Sequence, residues 1–201
     1  MTVPGRVEAA ALLLSLDPPA WFLNHARAVA EVAAWLAART ARASGDSMDR
    51  QLVEAAALLH DVDKLLSADD VARALPHGDG SAAWLARAGH PELGPAVASH
   101  PVTRLVDAFC YERWVATASR EERIVAYADK RAGQSLEPMA DRFASWERRY
   151  PGGWSRDEAV AARRRADELE AEVCGAAGVE PEEVRRLPWT GAALRAARGR
   201  A

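Results

Sequence analysis

"LLHDVDKLL", residues 58–66, is the stretch on which the reading of this chain turns. It ends an apolar helical run and sets His60, Asp61, Asp63 and Lys64 between two leucine pairs. Leucines on both sides draw the segment inward. Ionisable groups taken inside must be paired or must hold a metal, because an isolated buried charge is strongly unfavourable.

The same inward pull is visible on two other predicted helices. His25 is followed at offsets of four, seven and eleven by Val29, Val32 and Leu36, which together define one helical face. His60 stands in the same relation to Ala56 and Val53 before it. Asp129 follows Val125 by four in "IVAYADK" and projects from an apolar face as well. Three inward polar groups on three helices need each other or something between them. Imidazole and carboxylate together suit a transition metal better than calcium, which prefers oxygen ligands alone. The alternative on residues alone is a buried His–Asp hydrogen-bond network without metal.

Composition narrows the field. The chain has 201 residues, 49% of them hydrophobic, enough for one domain with a sizeable core and against disorder. Lys and Arg number 26 and Asp and Glu 29, a formal net charge of −3, so nothing global argues for nucleic acid or a membrane surface. Cys110 and Cys174 form neither a metal spacing nor a disulfide framework, and are expected as two small buried thiols in a reducing cytoplasm. The run "VEAAALLLSL" contains Glu8 and ends at "DPP", and reads as a first helix rather than a signal peptide.

Ala and Leu dominate, β-branched residues are sparse, and the patterning predicts helix throughout. Helices are expected at about 5–16, 19–42, 48–59, 68–74, 79–88, 91–99, 119–132, 137–149 and 155–176. The last of these carries Glu and Arg at spacings that suit a solvated helix with i,i+4 pairs, so "RRR" at 163–165 is a poor nucleic-acid signal. "YPGGW" at 150–154 is the best linker candidate, and His90 and Trp84 are expected at the surface and in helix packing respectively.

The ordered set His25, His60–Asp61, Asp129 resembles the signature of the HD-domain superfamily of metal-dependent phosphohydrolases, over about residues 20–135. "HDVDK" is similar to the "HDIGK" form common there, with Val62 and Asp63 in place of Ile-Gly. "LPHGDGSAAWLA" and "VASHP" supply His77 and His100, and the former resembles a subgroup that includes bacterial diadenosine-tetraphosphate hydrolases. The resemblance implies an all-α HD-domain bundle as a single domain over 1–201, with its core at about 18–135 and a C-terminal helical extension at about 136–201.

It implies a dinuclear site as well: His25, His60, Asp61 and Asp129 on one divalent ion, and Asp61, His77 and His100 on the other, with Asp61 bridging. The ions would be drawn from Fe, Mn, Co, Ni, Zn or Mg. A water activated by two such cations could attack phosphorus in a phosphoester or phosphoanhydride, the substrate being a nucleotide or similar small phosphate. Lys64 is expected to act on a phosphate oxygen or on the water, with Lys130 and Arg131 as further phosphate contacts. Asp63 is either a proton relay or a solvated turn residue. Arg27, Asp79 and Ser81 are weaker candidates, Asp79 being the outer partner suggested for His77. Two rivals share the ligand set: a dinuclear-iron oxygenase of the same fold, and a non-catalytic nucleotide sensor.

Overall fold

The computed structural model describes residues 3–45 and 47–199. Among them are eleven α-helices joined by short turns and no strand, only an isolated bridge between Ala132 and Leu136. The helices are α1 Arg6–Leu14, α2 Ala20–Ser44, α3 Arg50–Leu59, α4 Asp79–Arg87, α5 Gly94–Ala98, α6 Thr103–Val106, α7 Ala108–Val115, α8 Arg120–Lys130, α9 Met139–Arg149, α10 Arg156–Ala177 and α11 Thr190–Arg198.

α2 is the axis of the assembly. Its 25 residues extend about 37 Å at 1.5 Å per residue. Val29, Val32 and Leu36 are fully buried, but so are Ala28, Ala30 and Ala34 on its other sides. Small side chains let neighbours approach closely all round, and α3, α8 and α10 pack against it. Buried within this helix, Glu31 is 3% exposed and pairs with Arg186 at 2.8 Å and with the Thr190 hydroxyl. That pair fastens the C-terminal segment to α2, and removing one partner of such a pair typically costs about 3–5 kcal/mol. α1 is a packed helix, with Ala9, Ala10 and Leu13 fully buried against α3 and α11.

Local sequence explains where the site-bearing elements begin. Asp49 caps α3 by accepting from the Leu52 N–H. Ser119 with Glu122 and Ser155 with Glu158 form capping boxes that start α8 and α10. α10 lays Ala162, Ala166, Leu169 and Val173 on the core while Arg163–Asp167 and Arg164–Glu168 pair at i,i+4 away from it. The three arginines at 163–165 have separate fates, since Arg165 is buried and donates to the carbonyls of Leu105 and Val106.

Several boundaries differ from expectation. The predicted helix at 68–74 is a 3-10 turn at Val71–Ala74, and that at 91–99 is a 3-10 turn, Pro91–Leu93, followed by α5. α6, α7 and α11 have no counterpart in the sequence reading. Cys174 is buried beside the Tyr127 hydroxyl and Cys110 is half-buried. No helix among the described residues is long and apolar enough to cross a membrane.

Candidate metal centre

Five elements deliver the site. α3 ends at His60, which is its C-cap, and Asp61 follows in the sparsely populated bridge conformation (φ −105°, ψ 11°) before the 3-10 turn Val62–Leu65. This abrupt change of helix type lets two consecutive side chains point into one centre. α2 contributes His25, α8 contributes Asp129, the turn before α4 contributes His77, and the end of α5 contributes His100. His60 is fully buried, His100 is 1% exposed and Asp61 2%.

Asp61 stands in the middle. Its Oδ2 lies 3.4 Å from His25 Nε2 and 3.6 Å from His60 Nε2, and its Oδ1 lies 3.2 Å from both His77 Nε2 and His100 Nε2. Asp129 Oδ1 closes the first side at 3.5 Å from His25 Nε2 and 3.6 Å from His60 Nε2. Two groups able to hold an ion result, His25–His60–Asp61 and Asp61–His77–His100, each with ligand atoms within 4.8 Å of one another.

Every ring is fixed through its other nitrogen. Nδ1 of His25, His60 and His100 donates to the carbonyls of Gly133, Ala57 and Val97 at 2.8, 2.8 and 2.6 Å. Nδ1 of His77 donates to Asp63 Oδ2 at 2.8 Å. A carbonyl can only accept, so these Nδ1 atoms carry the proton and a neutral ring presents a bare Nε2 to the centre. His25 and His60 then face each other with Nε2 atoms 3.1 Å apart, and His77 and His100 do so at 3.3 Å. Two lone pairs at that separation repel unless a cation or proton lies between them. The donor set therefore fits divalent transition metals, and the backbone acceptors supply the outer contacts that metal-binding histidines require.

Burial opposes the charges on Asp61 and Asp129, yet the surrounding imidazoles, joined at Asp129 by Lys130, hold both well below the usual carboxylate range. Burial keeps His100 neutral, its pKa lowered to about 4. Burial works against charge on His77 too, but hydrogen bonds to Asp61 and Asp63 outweigh it and raise its pKa to about 9.

The remaining predicted residues fall in different places. Lys64 Nζ donates to Asp61 Oδ2 at 2.7 Å and lines the same cavity as the histidines. Lys130 does not face it. The residue is 1% exposed, and its Nζ donates to the carbonyls of His100 and Ala126, tying α8 to the His100 backbone. Arg131 is turned away as well: its guanidinium contacts Tyr127, Glu170 and the carbonyls of Glu137 and Pro181. Lys130 is one residue and Arg131 two residues beyond Asp129, turned about 100° and 200° further around the α8 axis, and each makes scaffold contacts where a phosphate contact was expected.

The outer partner of His77 is Asp63, not Asp79, which pairs instead with Arg104 at 2.6 Å. Asp63 Oδ2 also accepts from the Gly78 N–H, and the Asp63 backbone N–H donates to the Ser81 hydroxyl. Gly78 is required there, at φ +87° with Ala98 O only 2.8 Å from where a Cβ would lie. Arg27 donates to Thr190 outside the site. His90 is 9% exposed rather than on the surface, near Glu92. "YPGGW" is part of the cavity wall, with Tyr150, Gly152, Gly153 and Trp154 among the lining residues.

That cavity measures about 1140 Å³ and opens from the histidine cluster onto α9 and the start of α10. Arg142, Trp146 and Arg149 line it from α9, and Arg156 and Arg163 from α10. None of these was expected at the site, and Arg163 entered the sequence reading only as part of the solvated "RRR" run. The available signal was the spacing of seven in each arginine pair, which places both members of a pair on one helix face.

The HD domain family model matches residues 22–133, more than half the chain, and the chain belongs to that family. The HD domain defines a superfamily of metal-dependent phosphohydrolases, and the matched segment spans His25 to Asp129. Neither the curated proteins nor the solved structures give a match.

Proposed function

We propose that this protein is a phosphohydrolase that cleaves a phosphoester or phosphoanhydride bond of a nucleotide or similar small phosphate, with two divalent ions held by His25, His60, Asp61, His77, His100 and Asp129. The observation that carries this reading is the paired, carbonyl-anchored Nε2 geometry around Asp61, which needs positive charge on both sides of one carboxylate. Bound divalent ions would supply Lewis acidity, lowering the pKa of a shared water and neutralising phosphate oxygens.

The protein's own groups do the rest. Asp61 offers one oxygen to each side and keeps the two halves in register. The buried, carbonyl-anchored rings need little reorganisation during reaction, so their orientation is set before substrate arrives. Lys64, whose ammonium is favoured by Asp61 and Asp129 against the pull of burial, stays charged in the cavity. It is positioned to meet negative charge growing on a phosphate oxygen. Asp63 fixes the tautomer of His77 and with it the second half of the centre.

The test is metal analysis of protein purified without chelator, followed by phosphate release from a panel of nucleotides and phosphate esters. Two bound equivalents with metal-dependent release support the reading. A chain that takes up metal yet releases phosphate from no ester or anhydride would refute it.

A further inference from the structure

Arg142 is an anomaly in the cavity wall. It is 7% exposed, and among the described residues it has no hydrogen bond and no carboxylate partner; its Nε is a buried donor without an acceptor. Its guanidinium stacks on Trp146 at 4.9 Å, and both side chains line the cavity that contains the histidine cluster. The other buried arginines behave differently. Arg131 and Arg165 spend their donors on carbonyls, hydroxyl or carboxylate. A buried, always-charged guanidinium left unpaired is costly, and five fork-shaped donors match an oxyanion.

We propose that Arg142, seated on Trp146, is an oxyanion subsite separate from the metal-ligand cluster, and that the substrate carries a second phosphate-type group that docks there. This rests on the phosphohydrolase reading and deepens it: a substrate held at both places bears at least two anionic groups, and a simple phosphomonoester fills only one. Arg149 and Arg156, exposed and lining the same wall, extend the positive field towards the cavity mouth. They favour entry of a polyanion.

The experiment uses inorganic tripolyphosphate and orthophosphate as probes. Binding is measured by calorimetry to metal-free and Mn²⁺-loaded protein, for the wild type and for Arg142→Met and Arg142→Lys. The loaded wild type should bind tripolyphosphate more tightly than orthophosphate. Arg142→Met should weaken tripolyphosphate binding about 10- to 100-fold, the range for lost charge-assisted hydrogen bonds, and leave orthophosphate unchanged. Arg142→Lys should recover part of the loss.

Thermal unfolding separates recognition from scaffolding. Removing an unpaired buried charge should leave the ligand-free Arg142→Met protein as stable as the wild type or more so. A lower Tm, an equal loss for both anions, or no loss at all overturns the proposal. If orthophosphate binds the loaded protein but tripolyphosphate binds no better, the subsite fails and the phosphohydrolase reading stands. If tripolyphosphate binds through Arg142 while metal adds nothing for either anion, the subsite stands and that reading fails.

Discussion

His25 and His60 bring their Nε2 atoms to 3.1 Å while Gly133 and Ala57 hold the protons on the opposite nitrogens. Helices 35 residues apart in sequence have thus been packed so that two lone pairs meet. Burial opposes a charge on His25 but Asp61, Asp129 and the Gly133 carbonyl raise its pKa, so a proton can bridge the pair in the metal-free fold, and a divalent ion would replace it. A ligand that binds only the native state at a hundred times its Kd stabilises by about 2.7 kcal/mol. In a chain of this size that raises Tm by roughly 5–10 °C. Scanning calorimetry of chelator-treated protein before and after Mn²⁺ or Fe²⁺ addition checks it. Equal Tm values would mean that the histidine pair is accommodated without metal.

Metal count follows from the position of Asp61 between the two groups. His77 has a side chain 34% exposed, so His77→Ala should keep its fold and lose about one metal equivalent. Asp61→Ala should lose both. Elemental analysis of the two variants beside the wild type gives the answer. A wild type saturating at one equivalent under excess metal would reduce the site to a mononuclear one and leave His77 and His100 with structural or phosphate-facing roles.

Much of this candidate centre was legible in the sequence because several of the residues that could hold a metal lie on strongly patterned helices. His25, His60 and Asp129 share faces with Val29, Val53 and Val125, and a helical period carries them inward whatever the loops do. The roles of Asp63, Lys130 and Arg131 were not legible in the same way. Asp63 finds His77 through the 3-10 turn Val62–Leu65, whose tighter winding a hydrophobic pattern does not encode. Lys130 and Arg131 look like phosphate ligands by proximity to Asp129, but side-chain direction on α8 decides, and it sends them to the His100 carbonyl and to Glu170. α11 was missed because its apolar face is only Ala193, Leu194 and Ala197, and it is held by the Glu31–Arg186 pair and by Thr190.

Asp63 gives a sharper test than the ligands themselves, because it touches the centre only through His77. Asp63→Asn removes the acceptor charge that fixes the His77 ring. Outer partners of this kind are worth about 10- to 100-fold in metal affinity. Titration with Mn²⁺ should show the weaker of two sites lose affinity by that factor while the other is unchanged. A uniform loss at both would instead mean that Asp63 supports the fold around Gly78 and Ser81.

Proton linkage provides a prediction with a definite sign. In the metal-free chain His77 keeps its proton up to about pH 9, whereas His100, at about 4, is already neutral at pH 7. An ion entering between Asp61, His77 and His100 must displace the His77 proton. At pH 7 binding therefore releases a proton, and affinity climbs by about a decade per pH unit until it flattens near pH 9. Calorimetric titration at pH 7 in two buffers of different ionisation enthalpy measures the number released. A value near zero would mean that His77 does not bind the ion.

Lys64 separates hydrolysis from oxygen chemistry on the same ligand set. Its ammonium lies 2.7 Å from Asp61 Oδ2 and faces the cavity, so in the phosphohydrolase reading it meets phosphate charge that grows on the way to the transition state. Interactions made more strongly in the transition state act on kcat as well as on kcat/KM. Lys64→Ala should lower both, by about 10²–10³-fold, the usual cost of one such donor. Lewis-acid chemistry needs no electron transfer, so phosphate release should persist under argon with Mn²⁺ or Co²⁺ replacing iron. In a dinuclear-iron oxygenase Lys64 would mainly hold substrate, and its loss would raise KM with kcat little changed. The deciding comparison is phosphate release under argon against O₂ consumption by iron-loaded protein. Release without O₂ and a falling kcat in Lys64→Ala support hydrolysis; O₂-dependent turnover with no phosphate released assigns the centre to oxygen chemistry instead.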